Sequence, residues 1–97
     1  MEYLKQFNLT DEDIDDICNT IDDMDINELI MHESRVIAII NYFNSIGLHD
    51  LKSILITRPN LFYEDVEYIK SGFEKYGVEQ AVSLINENIM NFDLIDL

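Results

Sequence analysis

The 97-residue chain has no tryptophan, one cysteine, one proline, three glycines and only six lysines and arginines. A lone cysteine, Cys18, excludes an internal disulfide framework and a cysteine-built zinc cluster, so a reducing compartment, the cytoplasm, is expected. Long apolar runs are also missing: none approaches the roughly 20 residues that span a bilayer. The opening stretch MEYLKQFNLTDEDID has neither a basic n-region nor an apolar h-region. A soluble protein away from membranes is therefore expected. Scarce glycine and proline leave little turn punctuation, and strand alternation is absent, which together favour helices over an all-β domain. The shortage of positive charge is the most informative: 20 Asp and Glu against 6 Lys and Arg give a net charge of −14. Nucleic-acid binding draws most of its affinity from cations that displace counterions, so nucleic acid is not the expected partner.

What is present suffices for one small domain over residues 1–97, with 47% hydrophobic residues to build a single core. The run Thr10-Asp11-Glu12-Asp13 reads as a variant capping box that opens a helix. Ile14, Ile17, Cys18, Ile21 and Met24 follow helical spacing and predict its inner face, with Glu12, Asp15, Asp16, Asp22 and Asp23 outside. Asp25 and Glu28 signal a second start, and residues Ile26 to Ile46 read as helix with a break near His32. Its stripe is Val36, Ile39, Ile40, Phe43 and Ile46, and Gly47 stands where a left-handed C-terminal residue is needed. Leu51, Ile54 and Leu55 mark a short helix that stops before Pro59. A stripe of Phe62, Val66, Ile69, Phe73 and Tyr76 precedes Gly77. The last helix follows, with Val78, Ala81, Val82, Ile85 and Ile89 inward.

Three segments repeat one pattern: Leu4-Lys-Gln-Phe7-Asn-Leu9, Phe43-Asn-Ser-Ile46-Gly-Leu48 and Phe73-Glu-Lys-Tyr76-Gly-Val78, at offsets of 39 and 30 residues. Each is followed by an acidic position, Asp11, Asp50 or Glu79, and a second apolar helix. The units run roughly over 1–34, 35–62 and 63–97. A helical hairpin cannot bury its own apolar face, so the pattern predicts hairpins stacked in series.

Tyr42 to Leu48, followed by Arg58-Pro59-Asn60-Leu61-Phe62, resembles the mitochondrial transcription termination factor (mTERF) repeat. In that family a long helix ends in Phe/Leu-x-x-Leu/Ile-Gly-Leu, a shorter helix follows, and Pro-x-Leu-Leu/Phe opens the next unit. Phe73 to Val78 repeats the turn, and the similarity covers most of positions 35 to 92. It weakens before that, where Asn8 replaces the glycine and Thr20 falls where Pro59 would recur. The resemblance implies an all-α fold, a short right-handed stack of helical hairpins (α-solenoid) of about two and a half repeats. It also implies nucleic-acid binding along a basic concave face, with Lys52, Arg58, Lys70 and Lys75 as the available local cluster. This chain departs from the family there. Residues 1–34 carry 11 acids and one base, residues 35–97 carry 9 acids and 5 bases, and neither half offers a cationic track.

Catalytic and metal signatures fail on spacing. Asp11-x-Asp13-x-Asp15 and Asp23-x-Asp25-x-Asn27 alternate as calcium ligands do, yet the sixth loop position is Asp16 or Glu28 instead of glycine. The twelfth is Asp22 or Ser34 instead of a bidentate glutamate. His32 and His49 lie 17 residues apart with no cysteine nearby. Nothing resembles a phosphate loop, a nucleophile elbow or a histidine-paired nucleophile. No enzyme activity, cofactor or metal is expected.

Two surfaces remain. Glu12, Asp15, Asp16, Asp22 and Asp23 form an acidic face suited to a basic partner. In the tail Met90-Asn91-Phe92-Asp93-Leu94-Ile95-Asp96-Leu97, Phe92, Leu94, Ile95 and Leu97 either fold back over the last hairpin or, at an open stack end, take apolar cover from a partner or a second copy. Tyr42, Tyr63 and Tyr68, off the main stripes, add amphipathic surface. The expected function is a non-catalytic, acidic protein-interaction module, including the role of a nucleic-acid mimic that inhibits a DNA- or RNA-processing protein. The alternatives are mTERF-like nucleic-acid binding through the four cations, and a purely structural role as a homodimer joined at the carboxy-terminal end.

Overall fold

The Thr10 box forms as its residues demand. The Thr10 hydroxyl accepts from the Asp13 amide (3.1 Å), and the Asp13 carboxylate accepts from the Thr10 amide (3.0 Å). This opens α1, Asp11–Thr20, in a computed structural model that describes residues 1–95 and 97. Five further α-helices follow: α2 (Asp23–Met31), α3 (Glu33–Ile46), α4 (Leu51–Thr57), α5 (Val66–Tyr76) and α6 (Val78–Glu87). Three 3-10 helices, Glu2–Phe7, Pro59–Tyr63 and Ile89–Ile95, complete an all-α fold with no strand among the described residues. Asp96, in the apolar tail, lies outside them.

Helix ends depart from the sequence expectation at four places. Helix α1 stops at Thr20 and does not reach Met24. The Thr20 hydroxyl donates back to the Asp16 carbonyl (2.6 Å), Ile21 is extended, and Asp22 sits as the N-cap residue of a new helix. The break expected near His32 is present, but the first of the two helices starts at Asp23, three residues before Ile26. At their junction the Tyr3 hydroxyl donates to the Leu29 carbonyl (2.6 Å), which a continuous helix would offer to the Glu33 amide. His32 then leaves helical geometry at φ −111°, ψ 41°. Phe62 belongs to the Pro59 turn, separated from α5 by Glu64 and by the cap Asp65, whose carboxylate accepts from the Glu67 amide (2.9 Å). Finally, α6 ends at Glu87, so Ile89 lies in the last 3-10 helix.

Other stops stand where local chemistry puts them. Gly47 adopts φ 91°, the Leu48 amide bonds to the Phe43 carbonyl (3.0 Å), and the Gly47 amide bonds to the Asn44 carbonyl (3.3 Å), a complete Schellman closure. Helix α4 ends at Thr57, with only the cap residue Arg58 before Pro59. Asn8 also has positive φ (67°), a conformation that asparagine tolerates better than most side chains, and Gly77 has φ 111°.

The core is one connected set of 19 buried apolar side chains. Phe43 of α3 lies at its centre, against Phe62 of the Pro59 turn (5.5 Å, edge to face), Phe73 of α5 (5.8 Å) and Phe92 of the last 3-10 helix (6.3 Å). Burying one such ring stabilises the fold by roughly 1.5–3 kcal/mol. Around it pack Val36, Ile39 and Ile40 of α3, Ile54 and Leu55 of α4, and Ala81 and Ile85 of α6. The molecule measures 33 × 24 × 23 Å.

Candidate functional site

The five acidic residues of the expected face are all exposed, but they do not share one helix. Glu12, Asp15 and Asp16 lie on α1. Asp22 and Asp23 lie beyond its end, as the N-cap and first residue of α2. Asp16 is also engaged: with Asp13 it holds the Lys52 ammonium, at 2.8 and 3.2 Å, and so ties α1 to α4. The Thr10 amide, followed by Lys52 and the Thr10 hydroxyl, holds the Asp13 carboxyl below the usual aspartate value; Asp16 and Asp13 raise Lys52 above the usual lysine value. Glu12, Asp15, Asp22 and Asp23 have no cationic partner among the described residues.

Five of the six cations are turned toward the molecule's own acids, carbonyls or rings. Lys5 pairs with Glu2 (2.8 Å) and Asp11 (2.7 Å), and these carboxylates raise its pKa, Asp11 first. Arg58 pairs with Asp93 and donates to the Leu97 carbonyl (3.3 Å). Arg35 donates to the Tyr63 carbonyl (3.2 Å). Lys70 lies over the Tyr42 ring (5.6 Å) and 3.9 Å from Glu67. Lys75, five residues on, is about 140° around α5 from Lys70 at 3.6 residues per turn. The fold therefore does not gather Lys52, Arg58, Lys70 and Lys75 on one face: Lys52 is drawn to α1, Arg58 to the tail, and the other two to different sides of α5.

The tail is divided where the sequence treated it as one surface. Phe92 and Ile95 are buried in the core and are not available to a partner; the Phe92 ring packs against Phe43 of α3 and Phe73 of α5. Leu97 is half-buried over Gly72, where a Cβ would stand 2.5 Å from its nearest methyl. Only Leu94, at 57% exposure, faces outward among the four. With Tyr68, Lys75, Tyr76 and Leu97 it borders a shallow hollow of about 400 Å³ between α5 and the last 3-10 helix. Of the three tyrosines expected at the surface, Tyr68 is exposed. Tyr42 packs on Phe73 (5.9 Å), and the Tyr63 hydroxyl donates to Asp25 (2.7 Å). Burial and then the Asp25 charge push Tyr63 up to about 12. Among the described residues no three His, Cys, Asp or Glu side chains converge as metal ligands, and no helix is long and apolar enough to cross a membrane.

One surface escaped the sequence reading. Met24 (75% exposed) and Met31 (73%) form an apolar ridge along the outer side of α2, opposite the buried Leu29, with Ile30 (52%) on its flank about 100° round the helix from Met31. Helical spacing places Met24 on the inner stripe of α1; the bend after Thr20 transfers it to the next helix and turns it outward.

Comparison of the chain with protein-family profiles, with curated proteins and with solved structures finds no match.

Proposed function

We propose that this chain is a non-catalytic interaction module whose anionic amino-terminal surface binds the basic face of another protein, in the manner of a nucleic-acid mimic. The observation that carries the reading is the asymmetry of charge pairing. Glu12, Asp15, Asp22 and Asp23 project into solvent without counter-charges, whereas Lys5, Lys52 and Arg58 are each held by the chain's own carboxylates. A concentrated negative field of this kind accelerates encounter with a cationic partner and repels phosphate. The finer architecture belongs to the same proposal: two and a half stacked hairpins of mTERF type, supported by the shared positive φ of Asn8, Gly47 and Gly77 at the three repeated turns.

The test is a titration against an unstructured lysine-glycine peptide and against duplex DNA, each at about 0.05 and 0.2 M salt. Salt-sensitive binding of the peptide is expected. It should be lost when Glu12 is changed to Gln and Asp15, Asp16, Asp22 and Asp23 to Asn. Salt-sensitive binding of the duplex, or unchanged peptide binding by that variant, refutes the proposal.

A further inference from the structure

The two most exposed large apolar side chains among the described residues, Met24 and Met31, stand on one short helix. Met24 and Met31 are seven residues apart, two turns of α2, and therefore lie nearly in line; Ile30 stands beside them and exposed Asn27 lies between. The ridge does not belong to the core, which takes Leu29 from the opposite side of the same helix. Methionine is a flexible, polarisable side chain that moulds to varied apolar partners, and leaving two of them this exposed costs hydration free energy that a docked surface recovers.

The charges around the ridge determine what can dock. Helix α2 carries Asp23, Asp25 and Glu28 and no lysine or arginine, and Asp22 precedes it. Asp22 and Asp23 lie at one end of the ridge; Glu28, paired with His32 at 3.1 Å, flanks it. A second copy of this chain would bring the same carboxylates to the same place across a two-fold axis, like charge against like. An acidic partner meets the same repulsion. An apolar stripe edged by lysine or arginine satisfies both parts of the surface, and the ridge of one helix packs into the grooves of another helix.

From the exposed ridge and its acidic surround we infer that Met24, Ile30 and Met31 of α2 seat a basic amphipathic helix of another protein. The inference deepens the proposed binding of a basic partner and rests on it. Apolar contact fixes the position of the partner helix, and the carboxylates set its orientation and exclude anionic competitors.

Two peptides of identical lysine and leucine content test this, one with leucines at helical spacing and one scrambled. The helical peptide is expected to bind at least about tenfold more tightly than the scrambled one. Its amide shift changes should centre on α2. Changing Met24→Gln and Met31→Gln together should erase that advantage while leaving the scrambled peptide's affinity unaltered. Both positions are exposed, so circular dichroism should show the fold intact. Equal affinity for the two peptides, or an advantage that survives the double substitution, overturns the ridge and leaves the acidic surface standing. Shift changes centred on the hollow beside Tyr68 and Leu94 overturn it as well. Failure of both peptides to bind removes the ridge and the proposed function together.

Discussion

Truncating Phe92 to alanine should come close to unfolding the protein. Its ring is fully buried, 6.2 Å from Phe73 in edge-to-face contact at 89° and 6.3 Å from Phe43. A buried phenylalanine replaced by alanine costs about 3–5 kcal/mol. Two ring pairs, each contributing about 0.5–1.5 kcal/mol beyond area burial, place this site in the upper part of that range. Total stability for a domain is about 5–15 kcal/mol, so a large share is removed. With a urea slope of about 1.5 kcal/mol per M, the unfolding midpoint should fall by about 3 M. Phe92→Leu, which keeps most of the volume and loses the ring contacts, should cost roughly 1–2 kcal/mol. The control is two residues away: Leu94→Ala, on a side chain 57% exposed, should stay within about 0.5 kcal/mol. Equal midpoint shifts for Phe92→Ala and Leu94→Ala would refute the placement of the tail in the core.

The remaining expectations concern single turns and single protons. Gly47→Ala meets no atom within 4 Å, so its cost is backbone strain alone, about 1–2 kcal/mol by thermal or urea melt, whereas Asn8→Gly should leave stability within a few tenths of a kcal/mol, roughly neutral. The Asp13 carboxyl has a lowered folded pKa, so its contribution is present above the unfolded value near ~3.9 and is lost as pH falls through the folded one. The stability gap between the protein and Asp13→Asn should therefore be flat at neutral pH and narrow below about pH 4, as urea midpoints across pH will show. Tyr3 and Tyr63 are both pushed up to about 12, chiefly by burial, so part of the phenolate absorbance should appear only well above the ordinary tyrosine range. Their stabilising contribution is present below the unfolded value of about 10 and disappears as pH rises through 12.

What could be read from the sequence was whatever is decided within about one helical turn. The Thr10–Asp13 box, the Gly47 closure and the stop before Pro59 each depend on neighbours no more than four residues away, and each stands where the residues put it. Distant partners decided the rest. The break near His32 was legible, but the Tyr3 hydroxyl that occupies the Leu29 carbonyl beside it comes from 26 residues before Leu29, which no periodicity reports. Lys52 and Arg58 resembled free cations until folding brought Asp16 and Leu97, 36 and 39 residues away in sequence, against them. In the tail, Phe92 and Leu94 are equally apolar, and only packing against Phe43 and Phe73 sorts one inward and the other out. The exposure of the acids was legible because carboxylates without buried partners stay in water. The methionine ridge was not, because an error of a few residues in one helix end reverses the side on which Met24 lies.

Phe43 touches rings contributed by three different stretches of chain, the last of them within six residues of the carboxy terminus. Long repeat arrays can lose an end and keep the remainder, because each module leans only on its neighbours. Here the ring cluster binds the second unit to the third so closely that neither keeps a dry face alone. A fragment ending before Phe92 would leave the central ring wet on one side, so these two units should melt together as one.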